Sequence, residues 1–398
     1  MDGIHQKSKP LLRFPSLETL KNQLVNQYDS SIRHQVFRIP YQAGNREEIL
    51  HQIEEVILHV VKDTSLGTSP LLTYPCTSDW SDISFDCNSG LALRRNQRMT
   101  SVRFESLQSV KKFGLMLKVL SIMYRLVKTN HFCTKRDIYY QDPSLFGSQH
   151  MLDGIVDNIS CMLEIPRWQL HVLATSKGCI AGDLMFQDVD NNFIDCSQTQ
   201  MGIQVPNHVK GLHNIVTNAS FILVVEKDAT FQKLLQNKVC EKLNPCIIIT
   251  GKGFPDMNTR MLLKILWDNF SIPILVLVDA DPHGIEIMTV YKFGSKALSF
   301  ESEHLAVPCI KWLGILPSDI SRLGVPEKSL IALSKADKVK GEEILSRPYI
   351  SQYPQWKTEI EQMLESGKKA EIQALDSISD NFLTDVYLPS KIRCSGWL

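Results

Sequence analysis

Apolar positions follow three rhythms along the chain, and the changes of rhythm mark its regions. Between Glu47 and Asp63, the residues Ile49, Ile53, Val56, Ile57 and Val60 recur at helical spacing and predict an amphipathic helix with one apolar stripe. Thr64 to Gly90 is rich in Ser, Thr, Asp and Pro and predicts a linker or long loop. From Phe113 the intervals are four, three, four and three (Leu117, Leu120, Tyr124, Val127), which predicts a long helix. Leu152, Ile155, Ile159 and Met162 mark a second helix, and Pro166 suits the first turn of a third, short one. Cys179 to Phe186, the turn-rich Asp188-Val-Asp-Asn-Asn192 and Phe193 to Val205 then read as a β-hairpin. Short helices followed by a hairpin are the pattern of a winged helix, a helix-turn-helix variant used on DNA.

Past Phe221 the rhythm changes to continuous apolar runs alternating with amphipathic segments. Phe221–Val225, Cys246–Thr250 and Ile274–Val278 read as buried parallel strands. Helices are expected over Ala229–Val239, over Asn258–Phe270 with Asn258 as its cap, and over Gly284–Phe293. This alternation predicts a mostly parallel sheet covered by helices on both faces. From about Ser318 the chain is mixed and helical, with Ile360, Met363 and Leu364 spaced for a core-facing stripe.

Composition narrows the picture only modestly. At 398 residues the chain has room for two or three domains with full cores. Lys+Arg and Asp+Glu balance at 43 each, so any basic surface must come from local segregation of charge. The 10 Cys residues include no CxxC pair, which argues against a zinc ribbon or a thioredoxin-like motif. Cys161, Cys246 and Cys309 lie in apolar segments and read as buried free thiols of a reducing compartment. The opening residues lack an apolar signal core, and no apolar run approaches the ~18 residues of a membrane span. The expectation is a soluble intracellular protein with no membrane partner and no decisive nuclear signal.

Chemistry concentrates at the ends of the apolar runs. Glu226 closes the first, and Asp279 and Asp281 close the third. Open α/β sheets place ligands at the carboxyl ends of their strands. Three carboxylates gathered there repel one another unless a cation joins them, and Mg²⁺ suits an all-oxygen set. The alternative is that they cap helices or pair with Lys227 and Lys252. His283 is placed to orient a carboxylate or touch a phosphate. Thr250-Gly-Lys-Gly-Phe-Pro-Asp256 lacks Walker A spacing, yet its glycines and Lys252 allow a phosphate to approach, and Phe254 is placed to contact a sugar or base.

A second constellation is Lys135-Arg136-Asp137-Ile138-Tyr139-Tyr140. On a helix, Arg136 and Tyr140 share one face, and Lys135 and Tyr139 the adjacent one. A tyrosine acts as a phosphodiester nucleophile when a nearby cation or base favours its phenolate. The surroundings are basic: Arg103, Lys111, Lys112, Lys118, Arg125, Lys128, Lys135 and Arg136 face only Glu105 and Asp137. Spacing alone does not choose between the two tyrosines, and core packing is the alternative role for both. Arg167 and Lys177, with Gly178, form a third set placed to contact a DNA backbone.

Five motifs in order resemble the family of the topoisomerase VI A-type subunit, which includes its eukaryotic meiotic counterpart: Lys135–Tyr140, Ser176–Gly178, Val225–Phe231, Ile249–Asp256 and Leu277–Glu286, with Ala370–Ala374 beyond them. The resemblance runs from about Arg103 to the C-terminus. It implies an α/β with α+β chain: a winged-helix (CAP-like) catalytic-tyrosine domain at 105–205, then a Toprim α/β domain with a helical extension at 215–398. Residues 1–100 remain an N-terminal helical and linker region, suited to partner docking. By the same resemblance Tyr140 is the nucleophile, Arg136 the catalytic arginine, and Glu226, Asp279 and Asp281 the Mg²⁺ ligands. Lys135, Arg167, Lys177, Lys252, Phe254 and His283 are the DNA-binding candidates. The implied activity is meiotic double-strand-break formation through a 5′-phosphotyrosyl link, by a nuclear, chromosome-associated protein. The implied partners are double-stranded DNA, a second copy sharing a composite site, a B-type ATP-binding subunit, plus accessory meiotic proteins. Competing readings are a Toprim nuclease or primase without a covalent tyrosine, a somatic topoisomerase VI A-type subunit, or a non-catalytic DNA-binding scaffold.

Overall fold

Buried apolar side chains fall into two clusters in the computed structural model, which describes residues 14–28 and 46–398 except Ser78 and Asn244. Helix α1 (Pro15–Tyr28) joins the larger cluster through Leu17, Leu20 and Leu24, and Ser16 Oγ donates to Ile392 O at 2.6 Å. Helix α2 (Arg46–Ser65) instead buries Ile49 and Ile53 in the smaller cluster. Its Arg46 donates to the carbonyls of Val127 and Lys128 at 3.2 and 3.0 Å, at the C-terminus of α3 (Val110–Thr129). Asn130 N also donates to Val127 O at 3.2 Å, and the guanidinium adds a cation at the negative end of the helix.

The segment expected as a linker is folded. Strands β1 (Leu71–Pro75), β2 (Ile83–Asp86), β3 (Gly90–Leu93) and β4 (Met99–Arg103) make two antiparallel ribbons, β1 with β4 and β2 with β3. Leu72 and Tyr74 turn inward while Leu71 is exposed, and β2 and β4 each bury a single apolar side chain, Ile83 and Val102. Buried Asp82 braces the ribbons by accepting from Arg98 Nη2 at 2.7 Å. A strand this short, with polar alternate positions, has the composition of a loop.

Next come β5 (Cys133–Thr134), α4 (Lys135–Gln141), α5 (Pro143–Phe146), α6 (Gln149–Leu163) and β6 (Val172–Leu173), with β5 and β6 parallel. Helices α3, α4 and α6 meet through Met116, Met123, Ile138, Leu152, Ile155 and Ile159. The short helix expected at Pro166 is replaced by hydrogen-bonded turns. His171 takes a φ of +60°, and its ring stacks on Phe132 at 4.0 Å. A left-handed residue there ends any helix and returns the chain to β6.

The expected hairpin is divided between two sheets. Strands β7 (Cys179–Gly182), β8 (Met185–Gln187), β9 (Phe193–Asp195), β10 (Ile203–Gln204) and β11 (His213–Val216) follow in order. Only β8 and β9 pair as a hairpin, with β11 on the other side of β8. Strands β7 and β10 join a six-stranded sheet in the order β10-β7-β13-β12-β14-β15. Its remaining strands are β12 (Phe221–Val225), β13 (Cys246–Thr250), β14 (Ile274–Leu277) and β15 (Lys311–Gly314), which run parallel to one another. Gly182 lets β7 approach β13 closely, since a Cβ there would lie 2.3 Å from Cys246 O. Every residue of β12, β13 and β14 is buried, as continuous apolar runs require.

Helices α7 (Asp228–Gln236), α8 (Val239–Lys242), α9 (Met257–Phe270) and α10 (Pro282–Phe293) complete the βαβ units. Asp256 caps α9 by accepting from Thr259 N at 2.9 Å. The expected cap, Asn258, lies inside the helix, where it donates to Ala174 O and Ser176 Oγ. Beyond the sheet, β16 (Ile331–Ala332) pairs antiparallel with β17 (Lys368–Lys369). The chain then runs past the tip of β14, where Ala370 and Ala280 exchange backbone hydrogen bonds at 2.9 and 3.3 Å.

Candidate functional site

Strand β12 lies between β13 and β14, so Glu226 leaves the sheet directly beside Asp279 and Asp281. The backbone fixes all three carboxylates in the same manner. Glu226 Oε2 accepts from Asp279 N at 2.8 Å, Asp279 Oδ1 from Ile372 N at 2.8 Å, and Asp281 Oδ1 from Gly284 N at 2.7 Å as the cap of α10. One oxygen of each is thereby committed, leaving Glu226 Oε1, Asp279 Oδ2 and Asp281 Oδ2. Lys227 Nζ holds Asp279 Oδ2 at 2.7 Å, and Lys369 Nζ lies 3.8 Å from Asp281 Oδ2. The capping and lysine pairing weighed as alternatives for these acids are therefore both present, on carboxylates that still share one sheet edge. Lys252 pairs elsewhere, 3.5 Å from Asp228 Oδ1.

Burial raises the energy of these charges. Glu226 and Asp279 are buried, and desolvation, with the charges of Asp279 and then Asp281, pushes the Glu226 carboxyl up to about 7. Burial also raises Asp279, against the opposing pull of Lys227 and the Ile372 N–H. Such carboxylates favour a partner cation strongly. Gly284 keeps their surroundings open: a Cβ there would stand 2.6 Å from Asp279 O and 3.0 Å from Glu226 Oε2. An all-carboxylate set around a glycine-made cradle fits a hard divalent ion such as Mg²⁺. Among the described residues, no three acidic, histidine or cysteine side chains are already gathered into a metal-holding cluster.

The neighbouring loop bends back onto the same edge. Lys252 and Gly253 take φ of +54° and +89°, and Gly253 N donates to Glu226 O at 2.8 Å. Phe254 is 45% exposed. Asp256 Oδ2 accepts from the N–H groups of Lys177 and Gly178 at 3.2 and 3.1 Å, so the Ser176–Gly178 motif is locked to this loop. Lys177 Nζ reaches back to Lys252 O at 3.3 Å. His283 Nε2 lies 3.7 Å from Asp337 Oδ1.

The second constellation sits on α4, whose start is a capping box. Thr134 Oγ1 accepts from Asp137 N, and Asp137 Oδ2 accepts from Thr134 N at 2.8 Å. Ile138 is fully buried, and Tyr139 packs half-buried on the same cluster. Tyr140 is 64% exposed and touches Tyr139 edge-on at 5.5 Å. Helical geometry thus separates the two tyrosines that spacing left equivalent: one packs and one projects. Arg136 is exposed and lines a cleft of about 280 Å³ with Lys135, Arg167, Asp256 and Met257, drawn from both halves of the molecule. Lys135 and Arg167 are turned inward toward Asp157, at 2.7 and 3.7 Å, and burial lowers the Lys135 ammonium. Asp157 and Glu371 are functional neighbours that the sequence reading missed. Asp157 had a discoverable signal, standing one helical turn from Asp153 on the face of α6 that meets Lys135.

Residues 111–172 match the model of the type IIB DNA topoisomerases. Residues 221–392 match that of the Toprim domain of the topoisomerase 6 A-subunit/Spo11 proteins. Meiotic recombination protein SPO11 of Mus musculus is 48% identical over 355 residues, covering 89% of this chain and 90% of its own. This chain belongs to the topoisomerase 6 A-subunit/Spo11 family. The human SPO11 is also 48% identical, over 91% of this chain and 92% of its own, and the DNA topoisomerase 6 A-subunit of Arabidopsis thaliana is 35% identical over 87% and 81%. The two matched family regions divide the constellations between them, with Arg136 and Tyr140 in the first and the three acids in the second.

Proposed function

We propose that this protein is a topoisomerase-like DNA transesterase that makes meiotic double-strand breaks and so initiates recombination. One observation carries the reading: a projecting tyrosine on a capped, basic helix and three pinned carboxylates at a sheet edge occur together in a chain 48% identical to the mouse and human meiotic recombination proteins. In this reading residues 105–205 form a winged-helix DNA-binding domain, with the β8–β9 hairpin as its wing. Residues 215–398 form the Toprim domain, and residues 1–100 serve partner docking.

Tyr140 is assigned as nucleophile. Its Oη attacks a DNA phosphorus and forms the new P–O bond while the bond to the 3′-oxygen breaks; the tyrosine proton is released and the leaving oxygen is protonated. The products are a 3′-hydroxyl and a 5′-phosphotyrosyl link. Arg136 neutralises a non-bridging oxygen. Glu226, Asp279 and Asp281 would hold Mg²⁺, which supplies positive charge at the phosphate when bound. Lys252 and Phe254 approach the duplex from the Toprim side, and Lys177 from the winged-helix side. Lys135 and Arg167 act from the lining of the cleft, and His283 from its place beside Asp337. One copy provides the tyrosine and another the carboxylates, so a double-strand break takes two copies. A B-type ATP-binding subunit, together with accessory meiotic proteins, completes the assembly on nuclear chromosomes.

The direct test is a denaturing gel of cleaved, end-labelled DNA. Protein retained on 5′ ends in the wild type and lost in Tyr140→Phe supports the transesterase. Free 5′ ends with normal cutting by Tyr140→Phe identify a Toprim nuclease instead.

A further inference from the structure

The Ala370–Ala374 motif stood out in the sequence, yet the reaction above does not use it. The structure lays it, with Lys369, along the acidic edge. Ala370 pairs with Ala280, Ile372 N fixes Asp279 Oδ1, and the two residues between and before them, Glu371 and Lys369, turn charged groups toward the site.

Those groups form two matching arrangements. Lys227 Nζ lies 2.7 Å from Asp279 Oδ2 and 3.2 Å from Glu371 Oε2. Lys369 Nζ lies 3.8 Å from Asp281 Oδ2 and 3.0 Å from Asp337 Oδ2. Each ammonium thus stands between an acid of the site and a second acid outside it. The inner oxygens are the ones that the backbone leaves uncommitted. Both outer acids are independent of the site: Glu371 is half-exposed, and Asp337 is held by the N–H and hydroxyl of Ser334 at 2.9 and 2.8 Å. The pairs differ in bias, since Lys227 stands nearer its inner acid and Lys369 nearer its outer one.

We propose that Lys227 and Lys369 are place-holding cations, each handed over to Glu371 or Asp337 when a divalent ion takes the inner carboxylate oxygen. The inference rests on Glu226, Asp279 and Asp281 being that ion's ligands. A lysine suits the task because its ammonium is a compact charge on a flexible stem, and a small swing changes its partner. Without the ion, the lysines suppress repulsion among buried carboxylates. With it, the outer acids prevent the released ammonium groups from opposing the ion. Lys227 is the stronger competitor, so it sets the affinity for the ion.

The test is titration of Mn²⁺ into the full chain, with free ion read by electron paramagnetic resonance. The wild type should show saturable binding that Asp279→Asn removes. Lys227→Met should tighten binding roughly tenfold, the size of an ordinary coupling between sites. Glu371→Gln should weaken it several-fold in the wild type but have no effect in the Lys227→Met background, because no ammonium then needs a destination. An equal effect of Glu371→Gln in both backgrounds reduces its role to through-space charge and overturns the relay, as does weaker binding by Lys227→Met. If Lys227→Met folds only with the ion, the midpoint of thermal unfolding against Mn²⁺ concentration reads the same affinity. A Lys227→Met chain that stays unfolded at every concentration makes Lys227 a structural residue and overturns the proposal. Wild-type binding that survives Asp279→Asn removes the ligand assignment itself, a failure separate from that of the relay.

Discussion

The acidic edge and the tyrosine helix solve opposite problems. At the edge, each of three carboxylates is held by a backbone N–H, two are buried, and a glycine keeps space beside them. On α4 the helix is firmly seated through Ile138 and Tyr139, yet Arg136 and Tyr140 project into solvent. Under the proposed function, preorganisation is complete where the ion is received and absent where the phenol meets a large substrate. The proposed site, assembled from two copies, calls for that division, since in it the projecting group is positioned only once DNA and the second copy arrive.

The largest expected effect tests the division itself. Tyr140→Phe and Asp279→Asn should each lose cleavage by at least about a thousandfold, while a mixture of the two copies regains single-strand nicks from one intact composite site. Mixed copies that remain inert would place both constellations in one chain's site. Nicked DNA on a denaturing gel decides between these outcomes.

Stability against pH separates the edge from the seam between the halves. Burial pushes both Glu226 and Glu301 from the ordinary 4.5 up to about 7. Between those values the folded chain binds protons that the unfolded chain has released, so stability should fall as pH rises from about 4.5 to 7 and level off above. The total for each carboxyl is up to ~3 kcal/mol. Mg²⁺ should relieve the Glu226 share alone, and Glu301→Gln the Glu301 share alone, as read by urea unfolding across pH.

Gly284→Ala forces a methyl against Asp279 O and Glu226 Oε2. It should lower stability by about 2 kcal/mol and weaken divalent-ion binding, measured by denaturant midpoint and ion titration. The smallest change expected is at the other region. Thr134→Ala removes the cap of α4 and should cost about 1 kcal/mol in the same unfolding assay while leaving ion binding unchanged.

Legibility in the sequence followed the same contrast. Strands β12, β13 and β14 were readable because burial on both faces demands unbroken apolar runs, and the acids at their tips stood out against them. The β1–β4 ribbons were hidden because the strands are only four or five residues long and several of their positions are exposed. Strands β7 and β10 were misassigned because β7 pairs with β13, a long-range choice that local pattern does not encode, and carries β10 into the same sheet. The same limit hid Lys369 and Asp157, and the role of Glu371 within its motif: each is an ordinary surface-type residue until folding brings it beside a charged group distant in sequence. Conversely, Asn258 looked like a cap because it starts an apolar segment, and Asp256 took that place because its carboxylate also receives the Lys177 and Gly178 N–H groups.

The separation of the apolar interior into two clusters bears on how the molecule comes apart. Where the halves meet, Glu301 of the sheet half accepts from Ser160 Oγ and from Arg167 N at 3.3 and 3.4 Å, long contacts beside fully buried Arg260. Arg260 Nε and Nη2, Arg167 Nε, Tyr291 Oη and Glu301 Oε2 have no protein hydrogen-bond partner among the described residues. These seam groups are buried without partners, whereas each cluster is held by close-packed apolar side chains. Amide exchange should therefore be fastest along the seam and slow within either cluster, with the halves yawing against each other as intact units long before either melts.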